Sequence, residues 1–165
     1  VSAFSKLKEK NIVLLLVGDY ENHLDPLLQS TMRNISINER IFAVGFKHNV
    51  RLYYSISNCL VLPSYREGFP NVVLQAGSMG LPSIVSDING CNEIIIDGSN
   101  GLLIPAKDVK SLFDAMHVVL TNVMLRTELS KNARKRVVSN FCQNVFWYSL
   151  LAEYNQEINQ LREKN

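Results

Sequence analysis

The 165-residue chain is 47% hydrophobic and 19% charged with a net charge of +2, proportions ordinary for a single globular domain. A chain of this length buries roughly 70% of its unfolded surface, and so small a positive charge excludes nucleic acid as its main partner. Cys59, Cys91 and Cys142 are scattered without a C-x-x-C pair, which reads as reduced thiols in a cytoplasmic protein rather than a disulfide framework.

The opening residues resemble no signal peptide, and no apolar run reaches bilayer length, so the expectation is a soluble piece. Phe4 and Leu7 stand at helical spacing among lysines, which predicts the end of a helix over residues 1–10. Residues 11–17 read NIVLLLV, which predicts the strongest strand of the chain, buried on both faces. Gly18 and Asp19 end it. Residues 24–35 predict a helix with Pro26 in its first turn, and residues 41–44 a short strand followed by Phe46, Lys47 and His48. A helix over 50–57 is expected to pack Leu52, Tyr53 and Ile56.

Residues 58–62 read NCLVL, a second strand expected to be buried on both faces. Pro63 ends it, a turn carries Glu67 and Gly68, and a helix is expected over 71–80. In that helix Val72, Val73, Ala76 and Met79 recur at helical spacing, and Gly80-Leu-Pro82 supplies the stop. Residues 82–86 and 101–104 read as two more strands. Asp108 is a natural N-cap for a helix reaching residue 120, and further helices are predicted over 125–138 and 145–161. The last carries Trp147, Leu151, Tyr154, Ile158 and Leu161 along one face. Such alternation predicts an α/β fold, a Rossmann-like doubly wound parallel sheet. Ligands of such sheets bind beyond the carboxyl ends of the strands. The turns at 18–20, 45–48, 64–70 and 86–93 are expected to crowd that edge.

The turn at 63–70 is the strongest functional candidate. A helix starting near Asn71 leaves backbone N–H groups free at Gly68, Phe69, Asn71 and Val72, while Pro70 has none to offer. Unpaired donors and the helix dipole together favour an anion there. Glu67 is unhelpful beside an anion unless it holds a neutral part of the same ligand, for which sugar hydroxyls are the obvious partner; its bland alternative is a helix cap. Gln75 lies two turns along the helix, roughly on the same side.

Glu67-Gly-Phe-Pro-Asn-Val-Val-Leu-Gln75 resembles the signature of the retaining GT-B glycosyltransferases of family four, in which two glutamates have seven residues between them. Ser86-Asp-Ile-Asn-Gly-Cys-Asn-Glu93 and Asp97-Gly-Ser-Asn-Gly-Leu-Leu-Ile-Pro105 resemble the two turns that follow in that family. The likeness spans residues 11–120, and the wording of the first motif is most similar to enzymes that build bacterial capsular or O-antigen polysaccharides. It implies a nucleotide-sugar donor domain with UDP- or GDP-hexose as substrate. Glu67 is then the catalytic candidate, contacting hexose hydroxyls, with Gly68, Phe69, Pro70, Asn71 and Val72 around the sugar and diphosphate. The family's second glutamate touches the ribose. Here Gln75 replaces it, and an amide still donates and accepts, so altered ribose binding is expected.

By the same resemblance Phe46 and Lys47 frame the nucleotide base, an ordinary surface loop being the alternative. Ser64, Arg66 and Glu93 are expected to stand behind the contacting residues, although Glu93 serves equally well at the start of a short helix. The 97–101 turn carries glycines and Asn suited to positive φ and no direct function. The family's first strand of this domain, with its arginine and lysine, has no counterpart. The chain is therefore expected to be one donor-binding domain, residues 1–165, from a two-domain enzyme. Residues 140–165 would form a helix packing on the acceptor half, and the piece alone would be inactive. The acceptor, a glycan or lipid-linked glycan, would be held by that other half.

No cofactor and no metal are expected, since no Asp-x-Asp pair exists and fixed backbone donors can stabilise a leaving diphosphate. His23, His48 and His117 form no ligand pattern. Lys131, Arg134, Lys135 and Arg136 are a solvated face or, beside a lipid-linked acceptor, a weak contact with anionic headgroups at the inner membrane surface. Two rival readings remain: a GT-B sugar-nucleotide 2-epimerase, and a non-catalytic nucleotide-sugar binding module that Gln75 keeps open. A dinucleotide oxidoreductase is disfavoured because no G-x-G-x-x-G follows a strand.

Overall fold

The structure, a computed structural model, describes residues 1–20 and 26–163, with side chains through residue 160. A 3₁₀ turn at Phe4–Lys6 is followed by β1 (Leu14–Val17), α1 (Gln29–Ile37), β2 (Ile41–Gly45), α2 (Arg51–Ile56) and β3 (Leu60–Leu62). Then come α3 (Asn71–Ser78), β4 (Ser83–Ser86), α4 (Cys91–Ile94), β5 (Gly101–Ile104), α5 (Val109–Thr121), α6 (Val123–Asn140) and α7 (Gln143–Glu163). The strands are parallel, as the alternation of elements requires. They form two hydrogen-bonded ladders, β1–β2 and β3–β4–β5. This is the expected α/β class with its sheet in two parts.

Strand alternation sends side chains to two cores. On one face Leu14, Leu16 and Ile41 join Val61, Ile84 and Ile104 beneath Phe4, Ala115, Met116, Val119 and Leu129. That single cluster bridges the two ladders. On the other face Val73 of α3 and Cys91, Ile94 and Ile95 of the α4 region enclose Val85.

Several expectations change. The leading segment is one 3₁₀ turn rather than a longer helix, with Phe4 and Leu7 buried as their spacing suggested. Strand β1 is not buried on both faces: its first three residues are half-buried and Val17 is exposed. Helix α1 starts at Gln29, which leaves Pro26 outside it; His23 and Leu24 lie outside the described residues. Leu52 and Ile56 of α2 are exposed rather than packed, while Tyr53 is half-buried. Asn100 does not take positive φ. It is buried, its Oδ1 accepting from the Ile96 N–H at 2.7 Å and its Nδ2 donating to the Ile94 carbonyl at 3.1 Å. In α7 Trp147, Leu151, Tyr154 and Ile158 are all exposed, and Leu161 lies beyond the described side chains.

Asp108 caps α5 as its sequence position predicts, its carboxylate accepting from the N–H groups of Lys110 and Ser111 at 2.8 and 3.0 Å. His117 lies on that helix, 3.0 Å from the Glu9 carboxylate and stacked on Phe113. Both contacts are structural.

Candidate functional site

Strand β3 stops at Leu62 because Pro63 follows, and α3 begins at Asn71 with Pro70 as a cap that has no side-chain hydrogen bond to offer. The loop between them is held by contacts other than a side-chain cap. Ser64 Oγ donates to the Arg66 carbonyl at 3.1 Å, and Pro70 is buried. The first helical hydrogen bond runs from Val73 N–H to the Pro70 carbonyl at 3.0 Å. The N–H groups of Gly68, Phe69, Asn71 and Val72 make no hydrogen bond among the described residues, and all four residues are exposed. Four free donors thus line one short stretch at the positive end of α3.

Glu67 stands at the lip of this stretch, half-buried, with no hydrogen bond to its carboxylate among the described residues. Its charge is felt next door. The Cys91 thiol is held above its ordinary pKa first by burial and then by the Glu67 carboxylate. An ionised carboxylate without a partner accepts hydroxyl or N–H donors only.

Gln75 is exposed on α3, and Tyr54 Oη donates to its Oε1 at 3.4 Å, with the Val72 carbonyl at the same distance. Burial raises the Tyr54 pKa, so the phenol stays protonated as a donor. This contact was not legible in the sequence, because α2 and α3 are brought together only by the sheet.

The turns meet in two groups. After β1 and β2, Asp19 Oδ1 accepts from the Phe46 N–H at 3.1 Å. The Phe46 ring is exposed and edge-on to His48 at 4.9 Å, and Lys47 is half-buried. After β3, β4 and β5, Gly90 abuts Gly68, and the Lys107 ammonium lies 4.9 Å above the Tyr65 ring. Lys107 is the one non-glycine residue at positive φ among the described residues. Arg66 is exposed. Glu93 accepts from the Gly90 N–H at 3.3 Å, a capping role, so it supports the 88–93 turn.

The four basic residues of α6 do not share one free face. Arg134 donates to the Ser78 carbonyl, and Arg136 donates to the Glu93 carbonyl at 3.0 Å. Headgroup contact would fall to Lys131 and Lys135. Among the described residues no helix is long and apolar enough to cross a membrane, and no three His, Cys, Asp or Glu side chains gather as a metal site.

The sequence model of the family described as "Glycosyl transferases group 1" matches residues 1–136. The capsular polysaccharide biosynthesis glycosyltransferase CapM of Staphylococcus aureus is 27% identical over 150 residues, covering 90% of this chain and 39% of the relative. The UDP-Gal:alpha-D-GlcNAc-diphosphoundecaprenol alpha-1,3-galactosyltransferase of Escherichia coli is 33% identical over 129 residues, covering 78% of this chain and 33% of the relative. Among solved structures, sucrose-phosphate synthase of Thermosynechococcus elongatus superposes with a TM-score of 0.77 at 28% identity, over 99% of this chain and 41% of that one. The chain thus spans about a third to two fifths of the length of these three proteins.

Proposed function

This chain belongs to the glycosyl transferases group 1 family, and we propose that it is the donor-binding part of a retaining hexosyltransferase building a bacterial surface polysaccharide. One observation carries this reading. A single turn presents four backbone N–H donors and, beside them, a carboxylate, none of them with a partner among the described residues. A nucleotide-diphosphate sugar has the matching parts, anionic oxygens on one side of the anomeric carbon and hydroxyls on the other.

In this mechanism the amides of Gly68, Phe69, Asn71 and Val72 hold the diphosphate and sugar. Charge accumulates on that diphosphate as the glycosidic bond to it breaks, and donors fixed in advance stabilise it without reorganisation. Glu67 accepts from hexose hydroxyls and faces a sugar carbon that gains positive character, for which a nearby carboxylate is favourable. Tyr54 holds the Gln75 carbonyl oxygen, which turns the Gln75 amide group toward the ribose as a donor. Phe46 and Lys47 border the base. The amides supply what a divalent ion would otherwise supply, so donor binding is expected to survive chelation.

The relatives named for capsule synthesis and for a diphosphoundecaprenol-linked acceptor support a glycan or lipid-linked acceptor at the cytoplasmic membrane face. The remaining two thirds of such a protein would bring that acceptor in, so the 165-residue chain alone is expected to bind donor without transferring sugar.

The test is Glu67→Gln in the full-length protein, which keeps the side-chain shape and removes its charge. Loss of a charged hydrogen bond to substrate corresponds to a fall in kcat/KM of about 10- to 100-fold at unchanged melting temperature. Unaltered turnover would refute the assignment. Product analysis with donor alone separates transfer from epimerisation, because an epimerase needs no acceptor.

A further inference from the structure

The amides of Gly68, Phe69, Asn71 and Val72 have no hydrogen bond among the described residues, so the stretch that carries them is placed by contacts from elsewhere. Two contacts do this from behind. Gly90 has φ +79 and ψ −46, and a Cβ there would overlap the Gly68 carbonyl and come within 3.2 Å of Pro70 Cδ. Only a residue without a side chain lets the 88–93 turn lie flat against Gly68. The second contact comes from far along the chain. Phe141, in the joint between α6 and α7, meets Phe69 with ring centroids 5.9 Å apart and planes tilted by 55°.

Phe141 is itself clamped. The Arg136 guanidinium lies 5.3 Å over its ring. The same guanidinium donates to the Glu93 carbonyl at 3.0 Å and reaches the Ile94 carbonyl at 3.5 Å. Those carbonyls belong to α4, the element that follows Gly90. Arg136 therefore ties both backstops of the turn into one unit, and a planar fork with a stacking face is the group suited to do it.

We infer that Phe141, locked by Arg136, is a positioning residue for donor binding, setting where the Gly68–Phe69 amides point. The inference rests on the reading of that turn as a diphosphate site. Neither residue touches the ligand; each acts through Phe69 and the α4 carbonyls. Their loss moves donor affinity out of proportion to stability, because an offset aromatic pair fixes orientation as well as burying area.

The experiment titrates UDP and GDP into the full-length protein by calorimetry, alongside thermal unfolding. Phe141→Ala is expected to weaken the nucleotide that binds by about 5- to 10-fold, and Arg136→Lys by a smaller factor, since an ammonium cannot stack and fork at once. Phe141→Tyr, which keeps the ring, restores wild-type affinity. Leu112→Ala, on α5 and packed against the core, supplies a stability loss that leaves affinity unchanged. Should Phe141→Ala fail to fold, Phe141→Leu gives the same readout, its ring gone and its volume largely kept. Wild-type affinity in Phe141→Ala or Phe141→Leu overturns the inference while the donor site stands. A wild-type protein that binds neither nucleotide overturns both.

Discussion

Strands β1 and β4 are the two ends of a lesson about burial. β1 reads LLLV within the most apolar run of the chain, yet it is half-buried and Val17 is 40% exposed. β4 reads SIVS, half of it serine, and all four residues are buried. Ser83 and Ser86 even bury hydroxyls with no partner among the described residues. The difference lies in what covers each strand. β4 has β3 and β5 on its two sides, α5 and α6 over one face, and α3 and α4 over the other. Among the described residues β1 has one strand neighbour, β2, whose Phe42 is 48% exposed. The 63–70 turn belongs to the well-covered half, whereas Phe46 and Lys47 belong to the open one.

The sharpest way to break this contrast is a pair of truncations. Leu129→Ala, at a side chain with no exposed surface, should cost about 3 kcal/mol in urea unfolding, while Phe42→Ala should cost less than about 1 kcal/mol. Equal losses would mean that the two halves are equally packed. A gentler probe adds atoms instead. At Gly101 a Cβ would overlap the Ser83 carbonyl oxygen and press on Ile95, so Gly101→Ala should cost about 2 kcal/mol. Ala43→Val, on an exposed position of β2, should stay within about 0.5 kcal/mol. Measured losses of similar size would contradict the contrast.

The smallest effect concerns α5, the cover common to both halves. The Asp108 carboxyl is held below its ordinary value of 3.8, first by the Ser111 hydroxyl and then by the Ser111 N–H. A lowered folded-state pKa means that the stabilisation is present above 3.8 and is lost as pH falls through the lowered value. Asp108→Ala should therefore melt slightly below wild type at pH 7 and match it at strongly acidic pH. A gap that persists in acid would assign the effect to helix propensity rather than to the cap.

Much of this was legible residue by residue. Pro63, Gly68 and Pro70 forced the turn, and Asp108 marked a helix start. The free amides of Asn71 and Val72 followed from helix geometry alone. Glu67 was visible because a carboxylate is out of place beside an anion site. Gly90 left a signal too, as an Asn-Gly turn, although nothing local says that Gly68 lies against it. Tyr54, Arg136 and Phe141 left none, since each acts on a residue about 20 to 70 positions away.

The sequence by itself determined most of the strands, helices and turns, and hence the α/β alternation and the 63–70 turn, because these follow from local φ/ψ preferences and the periodicity of apolar residues. Only the tertiary structure decided which apolar runs are buried and what holds the turn from behind. Burial is a property of the elements that happen to lie over a strand, and no residue carries that information in its own side chain.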